Sequence, residues 1–217
     1  MTFAWIFGIP LFFAPLVYLA GRLGTQLDHR SPIVRRLAIL AMLAAWVPFV
    51  LSVQNFLAGT PQEFAVGTIW LRVDAISLLL AAIVLTLGTM VTIFSSRYMH
   101  SEVGEEKYYA VLLVMVFMMI GLGCARDLFN LWVWFEGMTI SSYFLVAFYR
   151  EEAASLEAGM KYLVQSAAGT TLVLIGIAIV LANAGTLDLA TLGSHLNAVN
   201  RLALLAAAAL FIVGFGV

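Results

Sequence analysis

Residues 127–149 read DLFNLWVWFEGMTISSYFLVAFY. The run is long enough to cross a membrane as one helix, which takes roughly 20 apolar residues for a hydrocarbon core of about 30 Å. Between Leu128 and Tyr149 its one ionisable acid is Glu136, near the middle of the run. A charged side chain at that depth costs about 2.5–3.5 kcal/mol even on lenient insertion scales, so it normally faces protein and has a task. The stretch therefore reads as a membrane helix built around a carboxylic acid.

The rest of the chain agrees. Of 217 residues, 63% are hydrophobic and 11% charged, whereas a soluble domain has about 45–50% and about 25%. Polar low-complexity runs are absent, the net charge is −1 and Cys124 is the only cysteine. These features exclude a disordered chain, a disulfide scaffold and a nucleic-acid binder. Apolar windows bounded by charge or turn residues give spans at 3–21, 37–57, 74–96, 108–125, 128–149, 158–182 and 202–217. Open strands cannot satisfy their backbone in lipid, and the alternation of a membrane barrel is missing. The expectation is an all-α integral membrane protein: a polytopic bundle of about six to seven helices, forming one transmembrane domain over 1–217.

Loops at 58–73 and 183–201 are the longer ones, with Gly59, Pro61, Gly185 and Gly193 as breakers. Met1 and Thr2 supply no cationic region of a cleavable signal. Arg22, Arg30, Arg35, Arg36, Arg97, Lys107 and Arg150 lie in or beside the odd loops, against Arg72, Arg126 and Arg201 in the even ones. By the positive-inside rule the N-terminus is expected outside, in the cell's inner membrane. The last span has about 16 residues, or ~24 Å of helix, and reads as a membrane helix cut off at Gly214-Phe215-Gly216-Val217.

Around Glu136, Trp132 at i−4, Thr139 at i+3 and Tyr143 at i+7 share one helical face. Desolvation favours the acid form of such a carboxyl and a nearby cation its anion, so the two forms can exchange, as a proton carrier requires. The plainer alternative is a permanently protonated acid that hydrogen-bonds between helices. Lys161 opens the sixth span as a proton relay or charge partner, and Gln165, one turn on, extends the polar line. Glu136 lies deeper by roughly 10 Å. Glu157 and Lys161 also form a favourable i, i+4 pair, and a lysine near a helix end can reach the headgroups.

Other features read as structural. Asp74 with Ser77 is expected to cap the third span, and Thr86, Thr89 and Thr92 to bond back to their own helix. Ser166, Gly169, Thr170 and Gly176 are expected to let helices approach closely. Arg126, Asp127, Glu102, Glu105 and Glu106 read as solvated loop charges. His29, His100 and His195 lack metal-ligand spacing. With no glycine-rich phosphate loop or cysteine cluster, no cofactor and no metal are expected in this chain.

The 127–149 run, followed by EAGMKYLVQSAAGTTLVLIGIAIVLANAGTLDL at 157–189, resembles the antiporter-like, proton-translocating subunits of respiratory complex I. Related subunits occur in multisubunit cation/proton antiporters and membrane-bound hydrogenases. LRVDAISLLLAAIVLTLGTMVTIFSSRYM at 71–99 is similar to the family's third helix and the loop after it. The resemblance covers about 70–183 strongly and the first two helices weakly. It implies a fold of about fourteen helices with two inverted five-helix repeats, each holding a half-channel. The first repeat would begin near 108 and be incomplete at 217. It also implies that Glu136 matches the fifth-helix glutamate, and Lys161 a lysine found in some members. FIVGFGV at 211–217 is similar to the sequence before the lysine of a broken seventh helix, which these residues do not include.

The expected function is that of an antiporter-like proton-translocating subunit, or its N-terminal part, coupling redox energy to proton movement. Its partners would be other membrane subunits, a chain supplying further helices, and the bilayer. The alternatives are a sodium/proton antiporter or membrane-bound hydrogenase subunit, a purely structural membrane subunit, and a seven-helix receptor. A retinal protein is disfavoured because the last helix holds no lysine for a Schiff base.

Overall fold

A computed structural model describes residues 4–26, 32–60, 62–66, 69–100, 102–195 and 200–216. In chain order these form α1 (Ala4–Gln26), α2 (Ile33–Leu57), strands β1 (Gln62–Val66) and β2 (Ile69–Val73), α3 (Ala75–Tyr98), α4 (Glu105–Cys124), α5 (Leu128–Val146), α6 (Ala153–Ala184), the short α7 (Leu189–His195) and α8 (Arg201–Gly216). Each apolar window of the sequence overlaps a helix, and the chain is a polytopic membrane helix bundle. By length and composition α1, α2, α3, α4 and α6 each suffice to cross a membrane. α8 has 16 residues, and α5 is diluted by Asn130, Glu136 and a run of hydroxyl side chains.

Two departures are local. Residues 62–66 and 69–73 pair as a two-stranded sheet within what reads as a loop, after a turn at Gly59, whose φ of +73° suits glycine. α7 forms in the 183–201 connection. α6 begins five residues before the expected span, because AASLE is a good helix former without being apolar. It ends where Gly185 adopts φ +70° as the left-handed C-terminal stop.

The helices fall into two compact units, Met1–Val66 with Leu71–Cys124 and Gly67–Trp70 with Ala125–Val217. In the first, α1 packs on α2 and α4, and α3 packs on α2 and α4. Ile6, Val17, Met42, Leu85, Leu113 and Ile120 fill its interior. Gly88 lets three helices converge, since a Cβ there would lie 2.7 Å from Met42 Cε and 2.9 Å from Val116 Cγ2. Asp74 caps α3 as its sequence implied: Ser77 N donates to Asp74 Oδ1 at 2.8 Å and Asp74 N to Ser77 Oγ at 2.6 Å. Thr86, Thr89 and Thr92 each donate to the carbonyl four residues back.

Glu105 and Glu106 are not solvated loop charges. Arg35 Nε of α2 lies 3.1 Å from Glu105 Oε1 in the first turn of α4, and its Nη1 donates to Ser96 O near the end of α3 at 3.0 Å. One guanidinium thus bridges an acid at a helix N-terminus and a carbonyl at a helix C-terminus, both favourable to the helix dipoles. Glu106 is 7% exposed, its stem pressed against Gly21 of α1. These contacts put the start of α2, the end of α3 and the start of α4 at one end of this unit. Outward faces carry Leu40, Val47, Leu79, Ile83 and Phe94, side chains suited to lipid. His29 and Arg30 lie outside the described residues.

Candidate functional site

The second unit is built on α5 and α6, with α8 against α6. Its loop charges are organised, contrary to the reading of Arg126 and Asp127 as solvated. Asp127 caps α5, accepting from Asn130 N at 2.8 Å and from the Asn130 side chain. It also forms an antiparallel backbone bridge with Asp188, 61 positions away. Leu128 N donates to Leu187 O and Leu189 N to Arg126 O, at 3.1 and 3.0 Å. Arg126 Nε lies 2.8 Å from Asp188 Oδ2, with its guanidinium 5.7 Å from the Trp70 ring centre. Asp188 Oδ1 accepts from Ala190 N and Thr191 N at the start of α7. Burial pushes the Asp188 carboxyl up, but the Arg126 hydrogen bond and the two amides outweigh it and hold it below the ordinary aspartate value. This clasp ties the start of α5 to the linker after α6.

Further along α5, Trp132 Nε1 donates to Thr170 O of α6 at 3.1 Å. At the other end Gly159 meets Ala147 so closely that a Cβ on the glycine would lie 2.6 Å from Ala147 Cβ. The two contacts fix an antiparallel register, with Trp132 level with Thr170 and Ala147 with Gly159. Trp132, Glu136, Thr139, Tyr143 and Ala147 follow one another at i+4, i+3, i+4 and i+4, so Glu136 lies on the stripe that these contacts anchor.

α8 fixes the residue beside it. Phe215 stands edge-on to Phe135, 5.1 Å between ring centres. α8 comes this close because Gly214 meets Gly169 O and Val173, and Gly176 meets Phe211. Gly169, Thr170 and Gly176 thus serve packing, as their size implied. Leu128, Leu131, Val173, Ile177, Phe211 and Phe215 line an apolar cavity of about 150 Å³.

Within this frame Glu136 Oε2 is buried and has no hydrogen-bond partner among the described residues. The hydroxyls near it are committed elsewhere: Thr139 donates to Phe135 O, Ser141 to Gly137 O and Ser142 to Met138 O, at 2.8, 2.9 and 3.0 Å. Thr139 is buried, and the Tyr143 ring lies against Phe144. A buried carboxyl oxygen without a donor is costly unless it is protonated or meets water or a cation.

The structure does not join Lys161 to Glu136. Lys161 Nζ lies 2.6 Å from Glu157 Oε1, the two side chains 74% and 66% exposed. The α5/α6 register puts Lys161 level with Tyr143, about 10 Å along the axis from Glu136. Gln165, one turn on, is also exposed. The Arg126–Asp188 clasp escaped the sequence reading because its members stand 62 positions apart with no local pattern to link them.

Two family models match the chain. "NADH:quinone oxidoreductase/Mrp antiporter, TM" covers residues 125–217, and "NADH-Ubiquinone oxidoreductase (complex I), chain 5 N-terminus" covers residues 64–109. NADH-quinone oxidoreductase subunit N 2 of Roseiflexus castenholzii is 32% identical over 188 residues, 84% of this chain and 37% of the relative. F(420)H(2) dehydrogenase subunit N of Methanosarcina mazei is 29% identical over 154 residues, 69% of this chain and 31% of that protein. The chain therefore spans about a third of the length of these relatives. Among solved structures, an archaeal membrane-bound sulfane sulfur reductase superposes with a TM-score of 0.86 at 24% identity, over 99% of this chain and 44% of the other. Respiratory complex I from Thermus thermophilus gives 0.74 at 22% identity, over 100% of this chain and 43% of the other. These likenesses extend the helix arrangement to multisubunit respiratory membrane complexes. The chain belongs to the antiporter-like membrane subunits of the NADH:quinone oxidoreductase family.

Proposed function

We propose that this chain is the proton-translocating, antiporter-like part of a complex I-type membrane assembly, and that Glu136 is its intramembrane proton carrier. The observation that carries the reading is the buried, unpartnered Oε2 of Glu136 at mid-helix. Such a group has two forms whose balance is set by the charge beside it. A cation approaching it on a neighbouring helix favours the carboxylate and releases the proton; its withdrawal favours uptake. Trp132, bonded to α6, and Phe135, against α8, hold the turn just before it, so the carboxyl works from a fixed position, and Thr139 and Tyr143 line its stripe. Transfer runs through transient water, and no bond other than O–H is made or broken. On this reading electron transfer belongs to partner subunits.

Lys161 takes the role of a surface relay on this reading, leaving its Glu157 partner to accept or pass charge. The excess of basic residues in the odd loops favours a cytoplasmic position for those loops, with the N-terminus outside, in a cell inner membrane. The partners are further membrane subunits of a respiratory-type assembly, together with helices that complete the channel.

The test is Glu136→Gln in the assembled complex, with proton uptake measured in vesicles during electron transfer and assembly followed in parallel. Loss of pumping with normal assembly supports the proposal; intact pumping refutes it. Pumping that requires sodium in the medium would assign the site to sodium/proton exchange.

A further inference from the structure

A cavity of about 250 Å³ opens in the first unit between the end of α2 and the start of α3, lined by Phe56, Thr60, Glu63, Arg72 and Asp74 among others. It lies where two membrane spans leave the apolar layer: Leu57, the last residue of α2, and Ile76, in the first turn of α3, are 79% and 68% exposed. Among the described residues Arg72 forms no ion pair. Asp74 Oδ1 is engaged by Ser77 N, and Oδ2 has no partner there. One cation and two carboxylates give the lining a net charge of −1. At about 30 Å³ per water the space holds roughly eight waters, room enough for a phosphoethanolamine group.

We propose that this pocket seats the headgroup of a phospholipid bearing a primary amine, with its phosphate on Arg72 and its ammonium on Glu63 and Asp74. The charge pattern selects the ligand. An anionic glycerol headgroup would satisfy Arg72 but meet two carboxylates without a cation of its own. A choline headgroup offers no N–H donors to those carboxylates. A phosphoethanolamine group matches both signs with hydrogen-bonding partners on each. The acyl chains would run down beside Leu57 and Ile76.

The experiment is lipid retention by the purified full chain in detergent, read by native mass spectrometry after addition of phosphatidylethanolamine, phosphatidylglycerol or phosphatidylcholine. Parallel arms contain glycerophosphoethanolamine or inorganic phosphate. The expected result is preferential retention of phosphatidylethanolamine, weakened about tenfold by Arg72→Gln, the scale of one lost charge-assisted hydrogen bond. Glu63→Gln should instead shift preference toward phosphatidylglycerol, an effect that misfolding would not produce. Equal retention of the three lipids, insensitivity to both variants, or equal occupancy by inorganic phosphate alone would overturn the proposal.

Discussion

Replacing Gly214 by alanine tests the packing that holds α8 beside the carboxylate helix. A Cβ at this position would lie 2.7 Å from Gly169 O, 2.7 Å from Val173 Cγ2 and 3.1 Å from Val173 N. Two of these three atoms belong to backbone and cannot turn aside, so α8 must shift away from α6 by a few tenths of an ångström or more. Overpacking of this kind costs about 1–3 kcal/mol, set against the fraction of a kcal/mol by which alanine is the better helix former. Gly216, two residues on in the same helix, has nothing within 4 Å of its Cβ position. Gly216→Ala should therefore be neutral or stabilising by up to about 1 kcal/mol. The assay is unfolding of the purified protein in mixed micelles titrated with a denaturing detergent, followed by tryptophan fluorescence. The expected order of stability is Gly216→Ala at or above the parent, with Gly214→Ala below it. Because α8 carries Phe215 onto Phe135, the proposed function also has Gly214→Ala reduce proton uptake by the assembled complex. Equal stability of the two variants would refute the assignment of a tight α6/α8 contact at Gly214.

Other consequences concern the two charge clasps. Asp188→Asn keeps a capping side chain for α7 but loses the charge on Arg126, and should cost under about 1 kcal/mol for a pair this exposed. Asp188→Ala should cost about 1 kcal/mol more by removing the cap. Since the Asp188 carboxyl lies below its ordinary value, its contribution is complete above the unfolded value near 3.9 and fades as pH falls through the lower folded one. An unfolding series from pH 6 to 3 should show that loss in the parent and not in Asp188→Asn. Arg35→Gln should cost about 1–2 kcal/mol, between an exposed and a buried ion pair. Adding Glu105→Gln should recover part of it in a double-mutant cycle.

The spans were legible because a membrane imposes a long apolar window that few soluble sequences share, and Glu136 because a lone acid inside such a window is rare. Asp74 with Ser77 and the stop at Gly185 were legible for a different reason, since caps are written within a few residues of the helix end. What escaped was pairing across distance. Arg126 and Asp188 carry no mark of one another, nor do Arg35 and Glu105, so charges beside helix ends read as solvated. The paired strands at 62–66 and 69–73 are too short for alternation to stand out from a loop. Lys161 was legible in two ways, as a charge partner at the start of the sixth span and as the i+4 neighbour of Glu157, and the structure pairs it with Glu157.

Proton uptake per electron pair in sealed vesicles, at matched levels of assembled complex, measures the role of the Glu136 carboxyl most directly. On the proposed function, Glu136→Gln abolishes the share of pumping assigned to this subunit while leaving assembly unchanged. Glu136→Asp, which keeps an ionisable group on a shorter stem, should restore part of it. If Glu136→Gln pumps as well as the parent in fully assembled complex, Glu136 is an interhelical hydrogen-bonding acid and not the carrier.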